Sequence, residues 1–366
     1  MFIIISSMKK VLSIVTLSIL IIGLLGSCSK IRGDVEQEGG NNPAEKSIVT
    51  DPPEHLKNWM GDLPDDVYIR DLSIPGSHDA FSYRCIDDAK DQTLNAGEQF
   101  DWGVRWFDIR YYWEEFGGGQ VYPCHMTYGS TDKSLSILDD LRLLEERIKN
   151  NPTEGAIIRL RGESDMGMGS EEAKKSVKWL KDKALSNEMY IPVREDLILS
   201  EIRGKIVVMS DDSNWDDSPY DFDFDFIQDD YSFNDKVAGE AHKDLSYISE
   251  KASAFSKLID VRRGIDKWCP GAKYNDWTIN HCSGFLNTFR PVEFAGNVTP
   301  EILKVLQNVA ANKTLGVVPM DFIGCTEVFE SSLSAKEDRI TPQWYTISTT
   351  DIIKRVVDSN NCFKEQ

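Results

Sequence analysis

Two of the five histidines in this 366-residue chain stand where a short apolar run gives way to polar residues. In "LSIPGSHDAFSYRC" (residues 72–85) the run from Leu72 to Ile74 stops at Pro75-Gly76, and His78 and Asp79 follow. In "VYPCHMTYGS" a second run ends at Cys124-His125. Other short runs carry charged or polar groups at or after their ends. These are Asp108 and Arg110 in "VRWFDIRYY", Arg159 and Arg161 in "GAIIRLRGE" with Glu163 behind them, Asp229 and Tyr231 in "FIQDDY", Asn280 and His281 in "DWTINHCSG", and Asp321 in "LGVVPMDFI". An imidazole titrates near neutrality, so one ring can take a proton from an attacking hydroxyl while another gives one to a leaving oxygen. A neighbouring carboxylate fixes the tautomer, and a guanidinium faces the charge that collects on a phosphorus centre. The set suits general acid–base chemistry on a phosphate ester.

Each piece also has a purely structural reading. A single loop histidine is commonly solvated or hydrogen-bonded, and an Asp-x-Arg on one strand makes a buried ion pair. Cys124 beside His125 would suit a thiol nucleophile or a metal ligand, but no second motif supports either. Asp221, Asp223 and Asp225 alternate as in a calcium loop, yet Phe226 and Ser232 stand where such a loop needs its glycine and its glutamate. The joint placement of histidines, carboxylates and arginine at successive run ends is what favours chemistry.

Those runs read as eight strands: "YIRDLSIPG", "VRWFDIRYY", "QVYPCHM", "GAIIRLRG", "GKIVVMS", "DFDFIQDD", "DWTINHCSG" and "LGVVPMDFI". Between them lie segments of helical period. In "SLSILDDLRLLEERIKNNP" Leu138, Leu141, Leu144 and Ile148 recur at steps of three and four. "SEEAKKSVKWLKDKAL" and "TPEILKVLQNVAANK" behave likewise, each with a Ser or Thr placed as an N-cap. "NDKVAGEAHKDLSYISEKASAFSKLI" is a further helical stretch. Strands alternating mostly with helices predict an α/β fold, a (β/α)8 barrel of the TIM type, regular or distorted and incompletely closed. An open doubly wound sheet is the alternative, and no GxGxxG or phosphate-loop motif follows any strand to support it. In a barrel the C-terminal strand ends share one mouth, which would gather the polar set.

Hydrophobic residues make up 41 % of the chain and charged residues 28 %, as in a globular protein. A formal net charge of −19 excludes nucleic acid as a general partner and gives no broad attraction to anionic lipid. Residues 1–28 read as a lipoprotein signal: Lys9-Lys10, an uncharged and mostly apolar run, then Leu25-Gly26-Ser27-Cys28, with Cys28 the lipidated residue. An ordinary cleaved signal peptide is the alternative. Residues 29–51 read as a flexible tether and 52–366 as the barrel. The expected location is outside the cytoplasm, lipid-anchored to a bacterial membrane. Export permits disulfides among the six further cysteines, and buried free thiols fit equally well. Trp102, Trp106, Trp113 and Trp215 are aromatic candidates for an apolar rim.

"LSIPGSHDAFSY", then "GVRWFDIRYY", a histidine after a strand, and "NNPTEGAIIRLRGE" resemble the X-domain of bacterial phosphatidylinositol-specific phospholipases C. The resemblance continues through "GKIVVMS", "FIQDDY" and "NHCSGF" and covers most of residues 55–330, with "IPGSHDA" its most specific piece. It implies that His78 is the base for the inositol 2-hydroxyl, which attacks phosphorus as diacylglycerol leaves. It implies that His125 protonates the leaving oxygen and that the product is a 1,2-cyclic inositol phosphate, hydrolysed slowly with the two roles exchanged. Asp79 would support the acid histidine, Asp321 would orient His78, and Asp108 with Arg110 would form the family's Asp-x-Arg pair. Asp229 and Tyr231 would hold and stack the inositol ring, with Arg161 and Glu163 also facing substrate. Arg161 stands near a position where the family often has lysine. The resemblance implies no cofactor and no metal, an inositol phosphodiester or glycosyl-phosphatidylinositol substrate, a membrane partner and a monomer.

One departure stands out. Where the family usually ends a strand in an inositol-binding arginine, this chain has Ser210, Asp211 and Asp212. Two other functions therefore compete. A metal-dependent glycerophosphodiester phosphodiesterase would use a similar barrel, but Arg110 occupies a place where an acidic ligand is needed. A catalytically retired barrel would serve as a surface binding module, against which stand both histidines and Arg110.

Overall fold

The computed structural model describes residues 47–86, 89–115, 118–163, 167–222, 226–228, 246–261, 277–284, 290–330 and 343–364. Its strands are β1 (Ser47–Val49), β2 (Ile74–Ser77), β3 (Trp106–Glu114), β4 (Gln120–His125), β5 (Tyr128–Gly129), β6 (Ala156–Gly162), β7 (Tyr190–Pro192), β8 (Ile206–Met209), β9 (Phe226–Gln228), β10 (Thr278–Asn280), β11 (Val317–Met320), β12 (Cys325–Glu330) and β13 (Gln343–Thr346). Its helices are α1 (Glu54–Lys57), α2 (Ala96–Asp101), α3 (Ile137–Asn150), α4 (Ser170–Lys183), α5 (Leu199–Ile202), α6 (Ser246–Val261), α7 (Pro291–Gln307) and α8 (Thr349–Asp358). None of the described helices is long and apolar enough to cross a membrane.

The main sheet runs β7-β8-β6-β3-β2-β11-β10-β9, every pair parallel. The first long strand, β2, lies between its chain neighbour β3 and the last one, β11. A doubly wound sheet would reverse direction at a switch point; apart from β7, which lies outside β8, this order is cyclic, so it is a curled barrel. Among the described residues no ladder joins β7 to β9, and the barrel is incompletely closed there. Both faces of the sheet are covered, which is why β2, β8 and β11 are buried at every position.

Two expectations change. "QVYPCHM" is a strand, but it is not a parallel barrel stave: β4 folds back antiparallel on β3, pairing Pro123 with Tyr111. β3 is long enough to rise past the mouth, and β4 returns toward it. The edge beside β8 is taken instead by β7, three residues whose Ile191-Pro192 gave no strand pattern. The helices match in existence and shift at their starts. α3 lies in the expected segment and begins at a Ser136 capping box. α4 is capped by Gly169, with Ser170 already helical. α7 starts at Pro291, ahead of the expected Thr299 cap; Thr299 lies mid-helix and its hydroxyl donates to the Ala295 carbonyl at 2.7 Å.

At the N-terminal end of the barrel a fully buried ion pair plugs the floor. Arg105 Nη2 lies 2.8 Å from Glu154 Oε2, and its Nη1 donates to the Phe100 and Val104 carbonyls at 2.8 and 2.9 Å. Glu154 Oε1 in turn accepts from the Gly61 amide at 2.9 Å. A buried pair is tolerable when its remaining hydrogen-bonding positions are filled, as here. Cys85, Cys124, Cys282 and Cys325 are buried free thiols and Cys362 is half-buried; Cys269 lies outside the described residues. Trp102, Trp106 and Trp215 are buried in the core, so three of the four rim candidates pack inside instead.

Candidate active site

The register of β2 against β11 builds the first half of the site. Ser77 pairs with Met320, so the next residue on each strand, His78 and Asp321, meet at the mouth. The His78 amide donates to the Met320 carbonyl at 3.1 Å, and the ring Nδ1 lies 2.9 Å from Asp321 Oδ1. Gln92, fully buried, locks this corner. Its Nε2 donates to the His78 and Met320 carbonyls, both at 2.8 Å, and its Oε1 accepts from the Ile323 amide at 3.0 Å. The chain turns sharply after each strand. Asp79 and Phe322 adopt φ of +38° and +52°, a region that disfavours residues with a Cβ.

β4 brings in the second histidine. His125 Nδ1 faces the Ala89 carbonyl at 2.8 Å and Asp91 Oδ2 at 2.9 Å. Asp79 stands between the two rings: its Oδ2 is 3.3 Å from His78 Nε2 and 3.5 Å from His125 Nε2. The result is an alternating row, Asp321–His78–Asp79–His125–Asp91, with both Nε2 atoms facing one carboxylate. The acids outside the pair are thus Asp321 and Asp91, and Asp79 is shared between the two rings rather than devoted to His125. His125 is held as the cation. Burial alone would lower its pKa, but Asp91 and then Asp79 outweigh it and push the value up to about 10.

Beside the row lies an arginine cluster. Arg110 Nε is 3.3 Å from Asp79 Oδ1, its Nη2 is 3.3 Å from Asp108 Oδ2 and its Nη1 is 3.5 Å from Glu163 Oε2. Strand register explains this: Asp108 is opposite Arg159, and Arg110 is opposite Arg161, on one face of β3 and β6. Burial would raise the Asp108 carboxyl, but Arg110 and Arg159 hold it well below the usual carboxylate range. Burial likewise works against ionisation of Asp79, and Arg110 with the two histidines keeps it ionised.

The departure at residues 210–212 has a structural use. Arg159, almost fully buried, is gripped by Asp211, its Nε at 2.9 Å from Oδ1 and its Nη2 on Oδ2. Asp212 accepts from the Gly162 amide at 2.8 Å and the Asn214 amide at 2.9 Å. These acids are spent on neighbours within the fold. Arg161, 34 % exposed, is the most open cation of the cluster. Asp229 and Tyr231 lie outside the described residues, as does Cys28.

Sequence reasoning missed Asp91 and Gln92, and it named Asp211 without foreseeing its pairing with Arg159. The first two sit in an irregular loop without periodicity, and only the folded register shows what they face. His281 proves buried, edge-on to His78 with ring centroids 5.3 Å apart; burial, then the nearby His78, keeps it neutral. One group among the described residues, His78, Asp79 and Asp91, brings metal-ligand atoms within 4.8 Å of one another. The Arg110 guanidinium lies directly on its central member, opposing a cation there.

No protein-family model matches the sequence. The 1-phosphatidylinositol phosphodiesterase of Listeria monocytogenes is 25 % identical over 304 residues, spanning 77 % of this chain and 84 % of that protein. The Staphylococcus aureus protein of the same description is 24 % identical over 290 residues, 74 % of this chain and 89 % of its own length. In structure, the phosphatidylinositol-specific phospholipase C from Listeria monocytogenes covers 83 % of this chain and 98 % of its own, at a TM-score of 0.56 and 21 % identity. A variant of the Staphylococcus aureus phosphatidylinositol-specific phospholipase C covers 83 % and 96 %, at a TM-score of 0.58 and 17 % identity. In sequence and in fold alike, this chain is therefore similar to bacterial phosphatidylinositol-specific phospholipases C.

Proposed function

We propose that the protein is a phosphatidylinositol-specific phospholipase C that works by paired-histidine acid–base catalysis without a metal. The observation that carries the reading is the row Asp321–His78–Asp79–His125–Asp91 with Arg110 beside it. His78 Nδ1 faces a carboxylate, which assigns its hydrogen to that side and leaves Nε2 to take the proton of the inositol 2-hydroxyl. The hydroxyl oxygen attacks phosphorus. The bond to the diacylglycerol oxygen breaks, and His125 Nε2 delivers a proton to it. Arg110, pinned by Asp79 and Asp108, offers fixed N–H donors to the non-bridging oxygens as charge gathers there. The product is the 1,2-cyclic inositol phosphate. Arg161 and Glu163, with Asp229 and Tyr231, are the proposed inositol contacts. Phosphatidylinositol and glycosyl-phosphatidylinositol anchors share the reacting group, and both are proposed substrates.

The N-terminal residues add a location: export, lipidation at Cys28 and tethering of a monomeric barrel to a bacterial membrane. The test of the activity is product analysis by phosphorus NMR on phosphatidylinositol vesicles with excess chelator. Formation of the five-membered cyclic phosphate together with diacylglycerol supports the reading. Activity abolished by chelator and restored by divalent metal would move the glycerophosphodiesterase alternative ahead. The acid cluster His78, Asp79 and Asp91 is the specific reason to run that control.

A further inference from the structure

We propose that Asp91 is the positioning residue that makes His125 the acid of the pair: its carboxylate lies against Nδ1, whose hydrogen bond goes to the Ala89 carbonyl, and its charge keeps a second proton on Nε2. The catalytic consequence rests on the phospholipase reading; the ion pair does not. Both atoms beside Nδ1, the Ala89 carbonyl at 2.8 Å and Asp91 Oδ2 at 2.9 Å, are acceptors. Nδ1 therefore carries hydrogen in either charge state, and the titrating proton is the one on Nε2, the atom that faces Asp79. The Asp91 backbone is anchored independently of its side chain. Its amide donates to the Ser82 hydroxyl oxygen at 3.0 Å, and its carbonyl accepts from the Phe322 amide at 2.6 Å. The carboxylate is thus not needed to hold the loop, and at 3 % exposure water screens it little.

Among the described residues, the charged groups around His125 are few; Cys124 precedes it and Tyr128 pairs with it on β5. Asp91, Asp79, Lys90 and Cys85 come from the loop after β2, Arg110 from β3 lies behind Asp79, and Glu163 lies beyond Arg110. Cys85 is a buried thiol pushed up to about 12, so it is neutral across the working range. Asp91 and Asp79 alone among these supply negative charge against the ring. Asp79 is shared with His78 and Arg110, whereas Asp91 is the acid on the Nδ1 side of His125.

The experiment is a histidine ring NMR titration of the free enzyme, wild type against Asp91→Asn, with kcat/KM profiles on phosphatidylinositol run in parallel. The wild-type His125 midpoint is expected far above the ordinary histidine value of about 6.5, and Asp91→Asn should lower it by roughly two units. The alkaline limb of kcat/KM should move by the same amount, so the variant loses about tenfold relative to wild type at about pH 9 but stays within about threefold at about pH 6. Asp91→Glu should restore part of the shift. An unchanged His125 midpoint in a folded Asp91→Asn protein overturns the proposal. So does a wild-type midpoint near the ordinary value, which decides the matter even if the variant does not fold. If wild type fails to cleave phosphatidylinositol, the functional reading falls while the NMR titration still decides the role of Asp91.

Discussion

In the proposed mechanism a guanidinium stands in place of a metal ion, and this is the residue-scale feature that shapes the chemistry. Arg110 stays charged at any working pH and is aimed by Asp79, Asp108 and Glu163. Arg110→Ala should lower kcat by at least about 10²–10³-fold, the scale seen when one donor to a developing oxyanion is removed. Lysine should recover only part, because it lacks the planar fork. Full activity in Arg110→Ala, measured by head-group release, would contradict the role. Asp321→Asn keeps the shape but can present its amide to His78 Nδ1, which favours the wrong tautomer. A loss of roughly 10²–10⁴-fold is expected, with the acidic limb of the pH profile displaced. At this scale the sequence was informative where a residue sits on a strand or directly after one, as Asp108 and Arg110 do on β3 and His78 and Asp321 do after β2 and β11. It was silent on Asp91 and Gln92, whose partners come from β4 and β11 and are fixed by register alone.

At the element scale the site depends on β2 and β11 lying close together. Gly76 is central to that approach: a Cβ there would meet the Pro319 Cα and the Trp106 ring, each at 3.1 Å. Gly76→Ala should push the strands apart, cost about 1–3 kcal/mol and separate His78 from Asp321. Thermal unfolding checks the first effect and the pH profile the second; unchanged stability would contradict the close packing. Gln92→Leu tests the lock from the other side. It removes the Gln92 bonds to the His78 carbonyl and the Ile323 amide, while the Met320 carbonyl keeps the His78 amide; at about 1–3 kcal/mol for each buried bond lost, a fall in Tm of several degrees is expected. Seven of the eight expected strands are barrel staves because apolar runs buried on both faces are easy to see. β4 misled because a short run does not reveal its direction. The Asn-Pro after α3 ended that helix as expected, whereas the Pro of Thr299-Pro300 did not begin α7.

The whole molecule is acidic, and at the barrel mouth its arginines are interleaved with carboxylates. The net charge is −19, yet Arg110, Arg159 and Arg161 converge at the mouth. Substrate in a surface rich in anionic phosphatidylinositol meets long-range repulsion first and local attraction only on contact. Because the Debye length falls from about 30 Å at 0.01 M salt to about 10 Å at 0.1 M, initial rates on such vesicles should rise over that range. A steep fall would show that adsorption is electrostatic, contrary to this charge distribution. Covalent anchoring would make adsorption unnecessary, and Cys28→Ser should release the protein from the membrane fraction. Persistence of the variant as a mature membrane lipoprotein would contradict lipidation there.

The base–acid pair is tested most directly by changing the leaving group. Head-group release from phosphatidylinositol should fall by roughly 10²–10⁴-fold in both His78→Ala and His125→Ala. On an inositol phosphodiester with a nitrophenol leaving group, which departs without protonation, His125→Ala should regain most of the lost rate and His78→Ala should not. Equal rescue of both variants, or near wild-type turnover of phosphatidylinositol by either, would contradict the assignment of His78 as base and His125 as acid.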